Sequence, residues 1–371
     1  LIVFKSREVQ QRMRTKVGLV DSVSIFAWLG LVLLVLGELG VRVSPSWFPW
    51  LSPFGLTYGI GWLLLAGVAV WRVISFRWIR AAFPVLVLVA TWPSFLLVFS
   101  FGLGAQDIPK EQDVWGVMSF NVRRLDEFNW LEGEATRREL ASWLSNRKES
   151  VWCLQEFPNN GKSALQEVGF LWSSPSRRLL QWPDGSGPSM VTSLTVMDWA
   201  TWMFPKDAGS GRVLQADLKT PSGVVRVFNV HLQSLYFSQA DYAAVEDGPS
   251  RQEGLRLLAL VTKASQARAK QSHILKAKMA ESPYPVVLAG DFNDVPMSYA
   301  LRQLRDARVR DAFAASTRGL GGTHIGMIPG VRIDGVMVDT TLTVHRQETH
   351  GVLLSDHRPV TAWVSSGVDL N

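Results

Sequence analysis

The chain has 371 residues, a formal net charge of +6, 47% hydrophobic residues and one cysteine, Cys153. This length suggests about two domains, and a single cysteine has no partner for an intramolecular disulfide. The charge is uneven, because residues 1–103 hold nine Lys or Arg and three Asp or Glu, whereas residues 104–371 hold 29 of each sign. The neutral second part weakens the case for a nucleic-acid-binding protein, which the overall basic balance would otherwise suggest.

Three apolar segments in the first third are long enough to cross a bilayer, which takes ~20 residues. They lie at about residues 22–39, 54–73 and 81–101. Together they predict a membrane domain over residues 1–103 with three transmembrane helices. Trp47, Phe48 and Trp50, between the first two segments, are typical of an interfacial aromatic belt. A buried helical core of a soluble protein is the alternative, and the succession of three spans does not favour a removable signal peptide.

Basic residues flank these spans unequally. Five precede the first span and three lie between the second and third, whereas the loop between the first and second has only Arg42. The positive-inside rule therefore predicts a cytoplasmic N-terminus. Three crossings then place the C-terminal domain on the periplasmic or other extracytoplasmic side of the membrane.

The rest of the chain alternates strand-like and helix-like patterns. Residues 104–113 are polar and contain Gly and Pro, which predicts a linker. Residues 137–146 have helical apolar spacing, and residues 251–280 predict one or two helices with a solvated basic face, or one that contacts anionic headgroups. Short apolar runs predict strands beginning near residues 114, 151, 187, 213, 224, 286, 336 and 352. This alternation predicts an α/β sandwich of two sheets flanked by helices over residues 114–371.

Polar residues follow several of these runs. Residues 286–289 read as a buried strand that ends at Gly290 and delivers Asp291 and Asn293 to its C-terminal edge, where α/β folds place their chemistry. Comparable groups occur at Asn121, Glu156, His231, Asp334, Asp356 and His357. Phosphodiester hydrolysis needs a cation on the phosphate, an activated water and donors for the transition state, and these residue types can supply them. The sequence contains no CxxC, HExxH, P-loop or GxSxG motif.

In order and spacing, these motifs resemble the endonuclease/exonuclease/phosphatase superfamily, which has the deoxyribonuclease-I-like fold. The motifs are SFN, LQE, FNVHL, GDFN, RID and SDH, and the resemblance covers about residues 114–364. It implies a two-sheet α/β sandwich and a metal-dependent hydrolase acting on phosphate esters. Three spans before such a domain resemble membrane-anchored bacterial members of the Bacteroidetes type, which implies a multi-pass protein of the bacterial inner membrane.

The resemblance also implies a metal site and substrate contacts. Glu156 corresponds to the principal metal ligand, with Asn121 beside it and Asp356 nearby, and the ion is Mg²⁺ or Mn²⁺. We expect one ion, because Arg123 stands where some members carry an aspartate. Arg123 is either a substrate phosphate contact or a salt-bridged surface residue. His324 lies in a stretch that resembles a substrate-side loop.

The remaining motif residues correspond to catalytic groups. His357 resembles the imidazole of an Asp–His pair oriented by Asp334. Asp291 is expected to position or deprotonate the attacking water, and whether Asp291 or His357 is the base stays open. Asn293 and His231 are expected to donate hydrogen bonds to the non-bridging phosphate oxygens.

The sequence favours a membrane-anchored phosphodiesterase acting on a lipid or other extracytoplasmic phosphodiester. Tethering near a bilayer raises the effective concentration of the site at lipid headgroups. A nuclease of the same superfamily is the alternative, since a local basic groove can be hidden in a neutral total. The alternative of another class is a non-catalytic membrane subunit of a larger complex, against which the intact acids and histidines argue.

Overall fold

Two apolar helices open the described chain: α1 spans Val23–Arg42 and α2 spans Phe54–Ile74, and both are long and apolar enough to cross a membrane. A short 3₁₀ helix, Pro49–Leu51, lies between them. The structure is a computed structural model that describes residues 23–108, 113–170, 177–221, 223–236, 241, 248–306, 308–316, 318–325 and 330–366.

The third predicted span, residues 81–101, is not one continuous helix. Helix α3 covers Trp78–Ala90, which is 13 residues, and a single turn, α4, covers Trp92–Phe95. Pro93 has no backbone N–H and cannot extend the hydrogen-bond ladder of α3. The chain then turns towards the C-terminal domain, where Ser100 forms a β-bridge. Among the described residues, two helices are therefore of membrane-spanning length, and the third predicted span is instead α3 followed by α4, which return the chain to the sandwich.

The C-terminal part contains twelve described strands. They are β1 (Trp115–Asn121), β2 (Val151–Phe157), β3 (Arg178–Leu180), β4 (Gly187–Thr192), β5 (Thr195–Met203), β6 (Arg212–Thr220), β7 (Gly223–His231), β8 (Val286–Asp291), β9 (Val309–Asp311), β10 (Asp334–Asp339), β11 (Leu342–Thr349) and β12 (Val360–Ser366). They form two six-stranded sheets, with orders β11-β12-β1-β2-β4-β3 and β5-β6-β7-β8-β10-β9. Strand pairs β1/β2 and β7/β8 are parallel, and the other pairs are antiparallel.

Helices cover the outer faces of both sheets. They are α5 (Arg123–Asp126), α6 (Glu134–Ser145), α7 (Gly161–Glu167), α8 (Arg251–Ala280) and α9 (Tyr299–Arg305), with 3₁₀ turns at Lys206–Ala208 and Ala312–Ala315. The inner faces of the two sheets pack together through side chains such as Val117, Leu214 and Val287. Burying each such side chain contributes about 1.5–3 kcal/mol. This layering confirms the predicted α/β sandwich.

The structure of helix α8 and of two loops differs in detail from the sequence predictions. A capping box between Ser250 and Glu253 starts α8, which runs as a single helix of 30 residues. The predicted solvated basic face is wrong for Arg268, which is 3% exposed. The apolar run 352–354 is irregular, so the last motif precedes β12 instead of ending a strand. Of the predicted linker, residues 109–112 lie outside the described residues, and the backbone N–H of Gln106 donates to the sandwich at His345.

The N-terminal helices are docked onto the sandwich. A Cβ atom on Gly55, in the first turn of α2, would collide with the backbone oxygen of Met297, so only glycine allows this close approach. At a second point Gln266 Nε2 donates to the backbone oxygen of Pro45 at 3.2 Å. At a third, Arg332 donates to the backbone oxygen of Leu97 at 2.8 Å. The start of α2 therefore lies against the loop that follows β8.

Candidate active site

Strand register brings three of the predicted site residues side by side. β7 and β8 are parallel neighbours in which His231 pairs with Asp291. On the other side of β8, antiparallel β10 places Asp334 directly opposite Asp291. Directly paired residues on neighbouring strands have Cβ atoms about 4.5–5.5 Å apart. The second sheet therefore presents an imidazole and two carboxylates at one edge.

The first sheet supplies Glu156 through a β-bulge. The register between β2 and β4 shifts between Leu154 and Phe157, and Glu156 has a φ of 53°. Bulges re-aim side chains, and this left-handed backbone conformation costs a non-glycine residue about 1–3 kcal/mol. The Glu156 carboxylate lines the cavity that the residues on β7 and β8 also line.

Asn121 joins the two sheets at the site. Its Nδ2 donates to Glu156 Oε1 at 3.2 Å and to Asp291 Oδ2 at 3.0 Å. Asp291 also accepts the backbone N–H of Asn293 at 2.8 Å. Asn293 has a φ of 52°, and its own side-chain amide donates to the backbone oxygen of Leu232 at 3.1 Å. Asn293 therefore ties the β8 loop to the segment after β7, besides lining the cavity.

His357 and Asp334 form the predicted pair. His357 Nδ1 lies 2.9 Å from Asp334 Oδ2, and both residues are buried. Burial by itself would lower the pKa of His357, but the negative charges of Asp334 and Asp291 raise that pKa to about 10. His357 Nε2 lies 3.9 Å from Asp291 Oδ2.

His231 completes the centre of the site. Its Nε2 lies 3.7 Å from Asp291 Oδ2 and 3.8 Å from Glu156 Oε1. Asp291 Oδ2 is thus approached by two imidazole nitrogens and the amide of Asn121. This convergence of donors and acceptors matches the arrangement that hydrolysis of a phosphate ester requires.

Arg123, Asp356 and His324 lie at the margin of this centre. Arg123 makes an ion pair with Asp356 at 3.3 Å and stacks over Trp130 at 4.6 Å, and its side chain is 36% exposed. His324 packs against His357 with ring centroids 5.2 Å apart. Burial and the adjacent His357 lower the pKa of His324. Within the described part of the chain, its buried Nδ1 has no hydrogen-bond partner.

A cavity of about 250 Å³ contains the centre of the site. Its polar lining includes Asn121, Glu156, His231, Asp291, Asn293, His324, Asp356 and His357. Its apolar lining includes Pro53, Leu56, Leu235, Val261, Val295, Val331 and Ile333. A larger groove of about 810 Å³ lies beside it, but none of the motif residues line that groove. The smaller cavity is therefore the candidate active site, and its wall includes the first turn of α2.

The donor set fits a divalent cation. Asp291, Asp334 and His357 have ligand atoms within 4.8 Å of one another. However, His357 and Asp334 are hydrogen-bonded together and buried, whereas Mg²⁺ retains several waters and needs an open position. The Glu156 side chain is 32% exposed, and in the described residues no Lys or Arg lies within 4.0 Å of it. Glu156 is therefore the better cation ligand.

Three side chains that support the candidate site were not identified from the sequence. Gln155 of β2 donates to Asn229 of β7 at 2.7 Å, and Asn229 donates to the backbone of Leu154 and Ser189, so a buried amide network links the two sheets under the site. Arg268 of α8 lines the cavity and pairs with Asp294. Gln155 and Asn229 lie inside the motifs LQE and FNVHL, so the sequence offered a signal for them. Arg268 lies in a basic helix, and no sequence signal distinguishes it from the other basic residues there.

Comparisons with known proteins agree with this geometry. Residues 118–357, more than half of the chain, match the sequence profile of the endonuclease/exonuclease/phosphatase family. A solved structure of an endonuclease/exonuclease/phosphatase family protein from Bacteroides thetaiotaomicron has a TM-score of 0.54 and 15% identity, covering 70% of this chain and 100% of that one. A Bacteroides vulgatus endonuclease/exonuclease/phosphatase has a TM-score of 0.51 and 19% identity, covering 68% and 99%.

A vertebrate structure has a similar fold. D. rerio TDP2, complexed with single strand DNA product, has a TM-score of 0.50 and 18% identity, covering 68% of this chain and 99% of that one. At these identities the likeness shows the fold alone. A comparison with curated protein sequences finds no match.

Proposed function

Since the chain belongs to the endonuclease/exonuclease/phosphatase family and is therefore a metal-dependent hydrolase of phosphate esters, we propose that it is a membrane-anchored phosphodiesterase acting on a lipid outside the cytoplasm. One observation carries the proposal. The acids and imidazoles of the motifs meet in a cavity whose wall includes the first turn of the apolar helix α2. A site built in this way brings phosphate chemistry next to a membrane surface.

Exposed apolar side chains support the membrane anchor. Large hydrophobic residues with more than half of their surface exposed are concentrated in the N-terminal helices and their loops, among them Trp28, Leu63, Phe76, Ile79 and Leu86. Only 22% of the apolar window of α1 and 33% of that of α2 are buried in the protein. Soluble proteins rarely leave such large contiguous apolar surfaces in water, so a bilayer is the environment that fits these helices.

The distribution of charge supports an extracytoplasmic site. α2 starts beside the cavity at Phe54, and Arg72 lies about 27 Å further along it, at ~1.5 Å per residue. Arg77 and Arg80 follow at that far end, where Arg72 donates to the backbone oxygen of Arg80 at 2.8 Å. Positive charge favours the cytoplasmic face. The catalytic cavity then faces the periplasm of a bacterial inner membrane.

We assign the cation, Mg²⁺ or Mn²⁺, to Glu156 with Asp356 and Asn121 beside it. When bound, it supplies positive charge to a substrate phosphate at this end of the cavity. One ion fits this set better than two, because Arg123 is paired with Asp356 where a second acid would be needed. Both carboxylates line the same cavity.

The chain's own residues orient the substrate and the water. Asp291, held by Asn121 and by the backbone of Asn293, offers a fixed carboxylate oxygen that orients a water molecule for attack. His231 and His357 have Nε2 atoms on either side of that oxygen, and each can donate a hydrogen bond to a non-bridging phosphate oxygen. Such preorganised donors are typically worth about 10²–10³ in rate each.

A lipid fits the cavity better than a nucleic acid. Of the described residues that line it, Arg268 is the only Lys or Arg, and its charge is paired with Asp294 at 2.9 Å. Nucleic-acid binding relies on Lys and Arg that neutralise phosphates. The single-stranded DNA product bound to the D. rerio relative keeps a nuclease as the second candidate, and the same assay decides between them.

The test is hydrolysis by full-length protein in detergent and in vesicles, with and without Mg²⁺ or Mn²⁺. Substrates are sphingomyelin, glycerophospholipids, bis(4-nitrophenyl) phosphate and plasmid DNA. We expect metal-dependent turnover that prefers lipid and falls ~10²–10⁴-fold in His357→Ala, because an acid–base or phosphate-binding group is lost. An exposed histidine, His273→Ala, is the control. Preference for DNA would establish the nuclease, and the absence of turnover and metal binding would favour the non-catalytic membrane subunit.

A further inference from the structure

The wall that α2 gives to the cavity lies outside the segment that defines the family. The family match begins at residue 118, whereas Ser52, Pro53 and Leu56 line the same cavity as the catalytic residues. The close approach at Gly55 holds this turn against the loop that carries Asn293. The membrane helices thus complete the active site of this chain in addition to anchoring it.

A continuous apolar stripe starts at this wall and follows α2 along its length. Its members are six of the seven exposed positions of the helix, the seventh being Trp71, and they are spaced alternately by four and three residues: Leu56, Ile60, Leu63, Gly67, Val70 and Ile74. This spacing keeps them on one helical face. At Gly67 a Cβ atom would meet nothing within 4 Å, so the stripe is open there. The opposite face, with Tyr58 and Leu65, is buried in the protein.

We propose that this stripe is the track for an acyl chain of the substrate, which is a long-chain lipid phosphodiester taken directly from the bilayer. The inference rests on the proposed function of the same site. Leu56 carries it, because this one side chain belongs both to the cavity and to the stripe. A lipid whose phosphate lies between His231 and Glu156 can therefore extend its chain from the cavity onto the apolar stripe.

The physical reason is the cost of exposing methylenes. Each methylene moved from hydrocarbon to water shifts the binding equilibrium roughly fourfold. Lipid tails are as apolar as the stripe, so the track adds little attraction of its own. Because the acyl chain stays in hydrocarbon along the track, the phosphodiester can enter the site without exposing methylenes to water. From Leu56 to Gly67 the track is about 16 Å long at ~1.5 Å per residue, about half of a ~30 Å hydrocarbon core.

The single native cysteine makes a reversible test feasible. Cys153 is fully buried, and burial raises the pKa of its thiol, so it is inert towards thiol reagents. The variant Ile60→Cys is labelled in detergent with a bulky methanethiosulfonate reagent and reconstituted in vesicles. Leu86→Cys, on an exposed position of α3 at 67% exposure, is the matched control. Dithiothreitol removes either label from the same sample.

The readout is the kcat/KM for the dioleoyl form of a lipid divided by that for its dihexanoyl form. It is measured for phosphatidylethanolamine and for phosphatidylglycerol. We expect the unlabelled protein to favour the dioleoyl lipids at least about tenfold, because their chains stay in hydrocarbon along the track and sparing two methylenes from water is already worth that much. Labelling the Ile60→Cys variant should reduce the ratio at least about tenfold, and dithiothreitol should restore it. Labelling the Leu86→Cys variant should leave the ratio unchanged.

Other outcomes refute the track. These are an equal fall for both labelled variants, an unchanged ratio after labelling the Ile60→Cys variant, or a label that alters only the oligomer size, which would assign the stripe to a second copy of the chain. Turnover of bis(4-nitrophenyl) phosphate by the unlabelled protein separates the two proposals. If it persists without a chain-length preference, the track is wrong and the phosphodiesterase stands. If it is absent, both fail.

Discussion

Replacing Arg268 by Met tests how the two catalytic loops are held. Arg268 is buried, and it pairs with Asp294 at 2.9 Å and donates to the backbone oxygen of Gln233 at 3.0 Å. Asp294 follows Asn293, and Gln233 lies two residues after His231, so one guanidinium connects both loops. Removing one partner of a buried ion pair costs about 3–5 kcal/mol, because the other charge stays buried without compensation. Solvent screens this pair little, since the side chains are 3% and 12% exposed.

The assay is thermal unfolding of the purified protein in detergent, combined with turnover of bis(4-nitrophenyl) phosphate. A loss of ~3 kcal/mol lowers the melting temperature of a domain of this size by about 6–12 °C. We expect kcat to fall up to ~10²-fold, because displacing catalytic groups by about 1 Å has that effect. The double variant with Asp294→Asn should lose less stability than the sum of the two single variants. Additive losses, or wild-type melting and turnover in Arg268→Met, would show that this pair does not hold the loops.

The remaining predictions address the cation, the inter-sheet network and the phosphate donors. Glu156→Gln should raise the Mg²⁺ concentration that gives half-maximal activity by at least ~10–100-fold. The control variant, Glu167→Gln at an exposed position, should leave that concentration unchanged. Equal Mg²⁺ concentrations for half-maximal activity in both variants would show that the cation binds at another site. Gln155→Leu should lower the free energy of unfolding by about 1–3 kcal/mol, measured by urea denaturation, because Asn229 loses its buried donor; an unchanged midpoint contradicts this. His231→Ala should reduce kcat ~10²–10³-fold with little change in KM for the soluble substrate, and a change in KM alone would make it a binding residue.

Part of the fold and of the site is predictable from local pattern. Apolar runs of four to six residues that end in polar motifs predicted the strands around Asn121, Glu156 and Asp291, because buried strands need such runs. The same pattern misled at residues 352–354, which form no strand. It also misled at residues 81–101, where mean apolarity suggested a span but Pro93 ends the helix. Hydropathy registers composition, whereas helix continuity depends on single backbone N–H groups.

Charge composition did not predict which basic residues are buried. The seven Lys and Arg of residues 251–280 predicted a solvated face, and Arg268 is instead buried against Asp294. A sequence does not say which of several basic residues on one helix meets a carboxylate from a distant loop. Gln155 and Asn229 are similar, because their amides are 74 residues apart and meet only when the two sheets pack.

The sequence by itself determined the set of candidate catalytic side chains and the apolar N-terminal helices, since both follow from local order and spacing. Tertiary structure alone decided that Asp334 faces Asp291 across β10 and β8, and that a bulge turns Glu156 towards them. It also decided that Leu56 lines the cavity. The physical reason is that strand register and helix docking are set by long-range packing, in which each contact joins residues far apart in the chain. Local periodicity specifies which face of an element is apolar, but not which partner that face will meet.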